Sequence, residues 1–177
     1  MNIGPQDGAV YGMRYDIRTS RTVQLGFGLA RGNLQRFIVN PFVPPADRVT
    51  GPVDQSVTFL DLNVQMNVTG GKSWYRFAPY VQLTGGLAVA GDTPADTSQF
   101  DFGNKLYFAP SAGFRLFLSQ RLHLRAEARA TFWKLNYPIT FQTEPEPGTP
   151  AVITGTGRTE WVTSPWLQAG VGYSFSP

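Results

Sequence analysis

Glu160 to Phe175 reads E-W-V-T-S-P-W-L-Q-A-G-V-G-Y-S-F, and its alternate residues make two different surfaces. Trp161, Thr163, Pro165, Leu167, Ala169, Val171, Tyr173 and Phe175 form one row, without a charge. Val162, Ser164, Trp166, Gln168, Gly170, Gly172 and Ser174 form the other, small and polar apart from Val162 and Trp166. A period of two over this length is a strand. A strand this long with one apolar face needs an apolar partner for that whole face, either a protein core or lipid.

The rest of the chain repeats the pattern. Tyr11, Met13, Tyr15 and Ile17 alternate with Val10, Gly12, Arg14 and Asp16. Val23 to Leu29 alternates next, then Leu60 to Val68, Phe77 to Leu87, Leu106 to Leu116 and Leu124 to Phe132. Tight turns are expected at Arg18 to Arg21, Thr69 to Ser73 and Ser119 to Arg121. Long connections are expected at Arg36 to Gln55, at Gly91 to Asn104, and around Glu144 to Gly148. Seven strands joined by turns that alternate between short and long make an antiparallel meander. That is the layout of an up-and-down barrel with its short turns at one end.

Composition agrees. One domain, 1–177, accounts for the length. Charged residues make up 15% and aromatics 14%, against roughly 25% charged in soluble domains. The absence of cysteine excludes disulfides and thiolate chemistry. The net charge of +3 is too small to argue for nucleic acid. No apolar run reaches 18 residues, so no transmembrane helix is expected. Met1-Asn2-Ile3-Gly4-Pro5 lacks the basic start and apolar stretch of a signal peptide.

The two rows indicate which face meets what. The apolar row contains no Asp, Glu, Lys or Arg through the strand centres. The other row carries Arg14, Asp16, Asp61, Arg76, Arg115, Arg125, Glu127 and Arg129 among glycines, alanines and serines, with no lysine. A water-facing row is rich in long solvated chains. This one reads as a filled polar interior in which planar guanidinium groups hold carboxylates. Desolvation makes an unpaired interior charge costly, so these eight residues are expected to form one network. Glu127, flanked by Arg125 and Arg129, is expected to pair across to neighbouring strands. The excess of arginine over acid is expected to lean on Gln, Asn, Tyr, backbone oxygens or water. Aromatics near both strand ends match interfacial girdles. They are Tyr15, Trp74, Tyr75, Phe77, Tyr173 and Phe175 at the short-turn end, and Phe132, Trp133, Tyr137 and Trp161 at the other. Pro79, Pro110 and Pro165 each remove a ladder donor and are expected near strand ends or at bulges.

These strand patterns, the segment Phe77-Ala78-Pro79-Tyr80-Val81-Gln82-Leu83-Thr84-Gly85-Gly86 and the end Gly170-Val171-Gly172-Tyr173-Ser174-Phe175 carry a resemblance. The chain resembles small bacterial outer-membrane β-barrels of the OmpA-transmembrane-domain and OmpX kind, over nearly its whole length. The resemblance implies an all-β, antiparallel, eight-stranded transmembrane barrel in the bacterial outer membrane, in contact with the lipid bilayer and lipopolysaccharide. It also implies that Tyr173 and Phe175 belong to a C-terminal signal read by the barrel-assembly machinery, although Ser176-Pro177 follow the last aromatic. Seven strands are visible where such barrels have an even number. Tracing the first strand back from its turn puts Ala9 at the outer end. An upstream strand, preceded by a signal peptide, is therefore expected to be missing.

Candidate chemistry is sparse, and no cofactor, metal or catalytic residue is expected. Thr69-Gly70-Gly71-Lys72-Ser73 ends like a phosphate-binding loop, but Met66 stands where its first glycine belongs and no helix follows. His123 lies beside a short turn, at the end opposite to where barrel lipases and proteases work. Asp92, Asp96 and Asp101 lack calcium-loop spacing and read as solvated. Side chains are expected to plug an interior this narrow. Function then falls to the long-loop end, where Phe37, Ile38, Val39, Phe42 and Val43 form an apolar segment expected either to be exposed for a protein partner or to pack with the other loops and close the barrel mouth. The last hairpin is expected to project, with Tyr137 to Gln142 opposite Ala151 to Thr156. The reading is a structural, adhesion or interaction barrel. The alternatives are a narrow channel for small solutes and a lipid A-modifying enzyme.

Overall fold

The computed structural model describes residues 4–70, 72–94, 96 and 98–175. Seven strands follow in chain order: β1 (Asp7–Arg18), β2 (Val23–Val39), β3 (Val49–Asn67), β4 (Phe77–Ala90), β5 (Asn104–Phe117), β6 (Leu122–Asn136) and β7 (Thr159–Tyr173). They form one antiparallel sheet in the order β1-β2-β3-β4-β5-β6-β7. The sheet curls on itself, because side chains of β6 and β3, and of β1 and β4, meet across its concave face. Helix is confined to two short 3-10 turns, Pro45–Asp47 and Ile139–Phe141. Among the described residues β1 and β7 do not pair, so a closed eight-stranded barrel is not formed.

Register follows the alternation. Leu25, Phe27 and Leu29 lie opposite Val64, Leu62 and Leu60, and these lie opposite Leu83, Gly85 and Leu87. Apolar rows therefore align across strands, and a one-residue slip would mix them with the charged rows. The apolar row faces outward and is exposed: Met13 77%, Leu62 59%, Leu83 56% and Leu167 89%. The polar row faces the concave side.

The core sits inside the curl near the long-loop end. Trp133, Phe59, Phe102, Leu135 and Phe141 are fully buried there. Phe59 stacks on Trp133 (6.4 Å) and meets Trp166 edge-on (5.0 Å), and Phe102 meets Trp133 edge-on (5.4 Å). These rings close the concave side above the charged residues. Trp133 and Tyr137 therefore belong to the interior and not to an outer girdle. Outward aromatics at that end are Trp161, Phe108 and Phe132, the last two stacked at 4.9 Å. At the short-turn end Tyr15, Trp74, Tyr75, Tyr173 and Phe175 are exposed, while Phe77 is half-buried against Phe114 (5.0 Å).

Three expectations about the connections are corrected. Arg36 to Gln55 is mostly strand, because β2 and β3 run on together to Val39↔Val49 with one irregularity between Arg36 and Ile38. The turn proper is 40–48, no longer than the 68–76 connection, so short and long links do not alternate strictly. Tyr137 to Gln142 and Ala151 to Thr156 do come together, through Ile153 N to Phe141 O at 2.8 Å, but as loop and 3-10 turn. The hairpin that projects is β2–β3.

Two of the three prolines fall as expected, Pro79 near a strand end and Pro110 at an irregularity, while Pro165 lies within a strand. Pro79 is near the start of β4, and Pro165 lies on the edge strand β7. Pro110 sits in mid-β5, where Ala109 and Pro110 have no ladder partner on β6. The cost of this proline is an interrupted ladder.

Candidate functional site

The concave face is built by alternation. The inward residues include long polar chains on every strand, three in succession on β6 (Arg125, Glu127 and Arg129), and small residues on neighbouring strands make room for them. Gly113 and Gly86 show why small neighbours are needed. A Cβ on Gly113 would lie 2.7 Å from the Tyr80 hydroxyl oxygen, and one on Gly86 would lie 2.5 Å from the Tyr107 ring.

Seven of the eight expected network residues are brought together there. Arg125, on β6, pairs with Glu127 on its own strand and with Asp16 on β1 (3.5 Å). Arg14 Nε donates to Asp16 at 2.5 Å, and its Nη1 donates to Gln82 on β4 at 2.5 Å. Gln82 also accepts from Arg125 at 2.8 Å. Arg129 reaches across to Asp61 on β3 at 3.0 Å. Glu127, 4% exposed, accepts further from the Tyr80 hydroxyl (2.8 Å) and from Gln168 Nε2 on β7 (2.6 Å). Its ion pair therefore lies along its own strand. The links from Glu127 to other strands are neutral, and Arg129 belongs to Asp61.

Arg115 has no ion pair among the described residues. It donates to Gln24 (3.0 Å) and Asn67 (2.5 Å) and stacks over Tyr80 at 5.8 Å, which is how the excess of arginine is accommodated. Arg76 is the exception. It lies in the turn before β4, exposed, with φ 69°, outside the concave face. The alternating pattern runs one residue ahead of the strand, which begins at Phe77. Alternation alone did not single out Tyr80, Tyr107, Gln24, Gln82 and Gln168 as network members. Tyr107 donates to Asp61 and carries Arg129 over its ring at 5.3 Å.

A second polar cluster lies at the long-loop end. Arg36 and Asp96 form a buried pair at 2.6 Å. Arg36 Nε donates to Gln55 at 2.9 Å, and its guanidinium lies 5.3 Å over the Phe100 ring. Gln55 accepts from Thr93 (2.7 Å) and donates to the Gly91 carbonyl. Asp96 also accepts from the Ser98 amide and hydroxyl (2.8 and 2.5 Å). Burial works against its ionised form, but the Ser98 and Arg36 bonds outweigh burial and hold the carboxyl below its ordinary range. The expectation of a solvated loop acid is thus corrected for Asp96. Among the described residues no cluster of three His, Cys, Asp or Glu is arranged to hold a metal. Nearby, the Tyr137 hydroxyl donates to Glu160 at 2.6 Å, and burial together with that carboxylate pushes the phenol well above its ordinary range.

The expected apolar interaction segment is largely used internally. Ile38 and Val39 are buried (5% and 4%), Phe37 and Val43 are half-buried, and only Phe42 is well exposed (51%). Extension of β2 turned Ile38 and Val39 into core. Arg48 ties the hairpin tip to the last loop by donating to Val43 O (3.1 Å) and Pro150 O (2.6 Å). His123 faces inward at the short-turn end, against Phe117 at 5.5 Å. Tyr173 closes β7 and meets Phe175 edge-on at 5.4 Å, with both rings exposed. The loop resembling a phosphate site includes Gly71, which lies outside the described residues.

No protein-family model, characterised protein or solved structure matches the chain.

Proposed function

We propose that this chain is the wall of a small outer-membrane β-barrel of the OmpA-transmembrane-domain and OmpX kind. It acts as a structural or interaction protein through its loop end. The observation that carries the reading is the inverted arrangement of the sheet, with apolar side chains exposed on the convex face and ion pairs on the concave face. Leu60, Leu62, Val64, Met66 and Val68 are successive outward residues of one strand run. At about 3.4 Å per residue and a tilt of about 40°, the eight steps from the first to the last of them rise about 21 Å, comparable with the apolar band of about 25 Å on such barrels. An apolar surface of this extent in water would drive association.

Lipid imposes a second condition. Unpaired strand edges are not tolerated in hydrocarbon, so the edges of β1 and β7 call for an eighth strand. β1 and β7 run in the same direction in this meander, and pairing them directly would be parallel. A single strand between them is antiparallel to both.

The ion network and the aromatic cap occupy much of the interior, which supports a plugged barrel and a non-enzymatic role. The bilayer and lipopolysaccharide would meet the apolar rows, and Tyr173 and Phe175 would serve the barrel-assembly machinery. Phe42, Val49 and Ile139 are apolar groups left exposed near the loop end for a protein partner. A cavity of about 570 Å³ beside Arg14, Arg125 and Arg129 favours a narrow channel as the second reading. Single-channel recording in planar bilayers separates the two. The plugged reading expects a flat baseline, and reproducible conductance steps would replace it with the channel. Modified lipid A in cells that express the protein, detected by mass spectrometry, would replace both with an enzyme.

A further inference from the structure

The charges of the connecting segments are divided unequally between the two ends of the sheet. The connections at the short-turn end, 18–22, 68–76 and 118–121, carry Arg18, Arg21, Lys72, Arg76 and Arg121 and no acid. The connections at the other end, 40–48, 91–103 and 137–158, carry six acids and two cations. Antiparallel order puts the three basic connections on one rim. Backbone hydrogen bonds tie each of them to the next strand along. Asn67 N donates to Thr22 O at 2.8 Å, Phe117 N to Arg76 O at 2.9 Å and Ser174 N to Arg121 O at 2.7 Å.

All five cations are exposed. Among the described residues none of them is in an ion pair. Only Arg121 uses its side chain in a hydrogen bond there, donating to the Tyr173 hydroxyl at 3.3 Å. Like charges on one rim repel one another, and an anionic partner relieves that repulsion. Depth is a further clue. Arg18 follows Ile17, Arg76 precedes Phe77 and Arg121 precedes Leu122, so three of the cations sit one residue beyond the apolar residues that end the outward rows.

The turn at 74–77 adds an independent observation. Trp74 and Phe77 exchange both backbone hydrogen bonds at 2.8 Å, and the residues between them, Tyr75 and Arg76, have φ of 46° and 69°. Glycine and asparagine take that conformation readily, whereas it is costly for bulky side chains. Strain of this kind clusters at functional positions. Here it presents a phenol and a guanidinium at the rim, with Trp74 exposed beside them. Rings and cations together match the headgroup region, where Trp and Tyr concentrate and lipid phosphates attract Lys and Arg.

We propose that the short-turn rim is a binding surface for anionic phospholipid headgroups. Arg18, Arg21, Lys72, Arg76 and Arg121 hold the phosphates, and Trp74, Tyr75 and Tyr173 lie at the same depth. An acidic protein would suit a compact basic patch. This set is spread over three connections and is continuous with the outward apolar rows, which favours lipid. The inference rests on the barrel reading, because lipid has to surround those rows for the rim to lie at headgroup depth.

The test reconstitutes the protein in phosphatidylcholine vesicles with a trace of spin-labelled lipid, either phosphatidylglycerol or phosphatidylcholine. Electron spin resonance reads the fraction of each probe immobilised at the protein. Phosphatidylglycerol is expected to be favoured by about threefold, less than the roughly fivefold that one cation can supply at an anionic surface, because each boundary lipid meets only part of the rim. The preference should vanish in 1 M salt, where the Debye length is about 3 Å. Arg18→Gln, Arg21→Gln, Lys72→Gln, Arg76→Gln and Arg121→Gln together should also remove it. Arg31→Gln, Lys134→Gln and Arg158→Gln together, at exposed positions away from the rim, should leave it intact. Equal immobilisation of the two probes would overturn the rim and leave the barrel standing. So would a preference that persists in salt or in the five-residue variant, or one lost in the three-residue control. No immobilised component for either probe would overturn the barrel reading and the rim with it.

Discussion

Replacing Glu127 with alanine removes the acceptor on which three groups converge: Arg125, the Tyr80 hydroxyl and Gln168 Nε2. Removing one partner of a buried ion pair costs about 3–5 kcal/mol, because the other charge is left buried. Arg125 keeps Gln82 at 2.8 Å and Asp16 at 3.5 Å, so its charge is not orphaned. That moves the expected loss to the lower end, about 3 kcal/mol. Glu127→Gln keeps one acceptor oxygen for Tyr80 or Arg125 and should lose about half as much, roughly 1–2 kcal/mol. Arg31→Ala, on the outward face of β2 and exposed, is the control and should change stability by less than about 0.5 kcal/mol. The assay is guanidinium unfolding of the protein in lipid vesicles, followed by tryptophan fluorescence. A loss below about 1 kcal/mol for Glu127→Ala, or equal losses for Ala and Gln, would refute the idea that the charge network holds the strands together.

Leu62→Arg and Leu83→Arg place a charge in the outward band and should each cost about 2–4 kcal/mol in lipid, measured by the same unfolding. Trp133→Ala empties the aromatic cap under Phe59 and Phe102 and should cost about 3–5 kcal/mol. It should also raise small-solute leakage through vesicles, if the cap is what seals the interior. Asp96, whose folded carboxyl is depressed, adds stability above its unfolded pKa of about 3.9. That contribution is lost as pH falls through the lower folded value. Acid should therefore loosen the Arg36 loop end of the wild type below about pH 4, as read by hydrogen exchange of residues 91–103. Asp96→Asn should start looser at neutral pH and change little across that acid range.

Alternation made the sheet legible before any coordinates. Each apolar row is long, and a slip of one residue would place Arg125 or Asp61 among Leu60, Leu62 and Leu83, so strand direction and facing follow from sequence alone. Strand ends were less legible. Beyond Leu29 the outward row becomes Arg31, Asn33 and Gln35, while the inward row continues with Leu34, Arg36 and Ile38. Polar residues outside and prolines after Asn40 imitate a loop, and the continuing β2–β3 hairpin was hidden. At β4 the pattern overruns the strand instead: Arg76 fits the alternation but the chain is still in its turn. The network was half legible. Charged inward residues stand out among glycines, but Tyr80 and Tyr107 look like ordinary strand aromatics. Their roles come from glycines directly opposite on the neighbouring strand, Gly113 for Tyr80 and Gly86 for Tyr107, which only the register brings together. The Arg36–Asp96 pair joins residues 60 apart through a loop fold, and local sequence carries no sign of it.

The central claim is that the outward rows of this sheet lie in lipid and the inward rows do not. Nitroxide labels placed singly at each position from 58 to 67 of β3 and at Val68 just after it, in bilayer vesicles, test it directly through collisions with oxygen and with a water-soluble nickel complex. Period-two oxygen accessibility is expected, with maxima at 60, 62, 64, 66 and 68 and low nickel accessibility there. High nickel accessibility at 62 and 64, or protection of those positions from both reagents, would contradict the account.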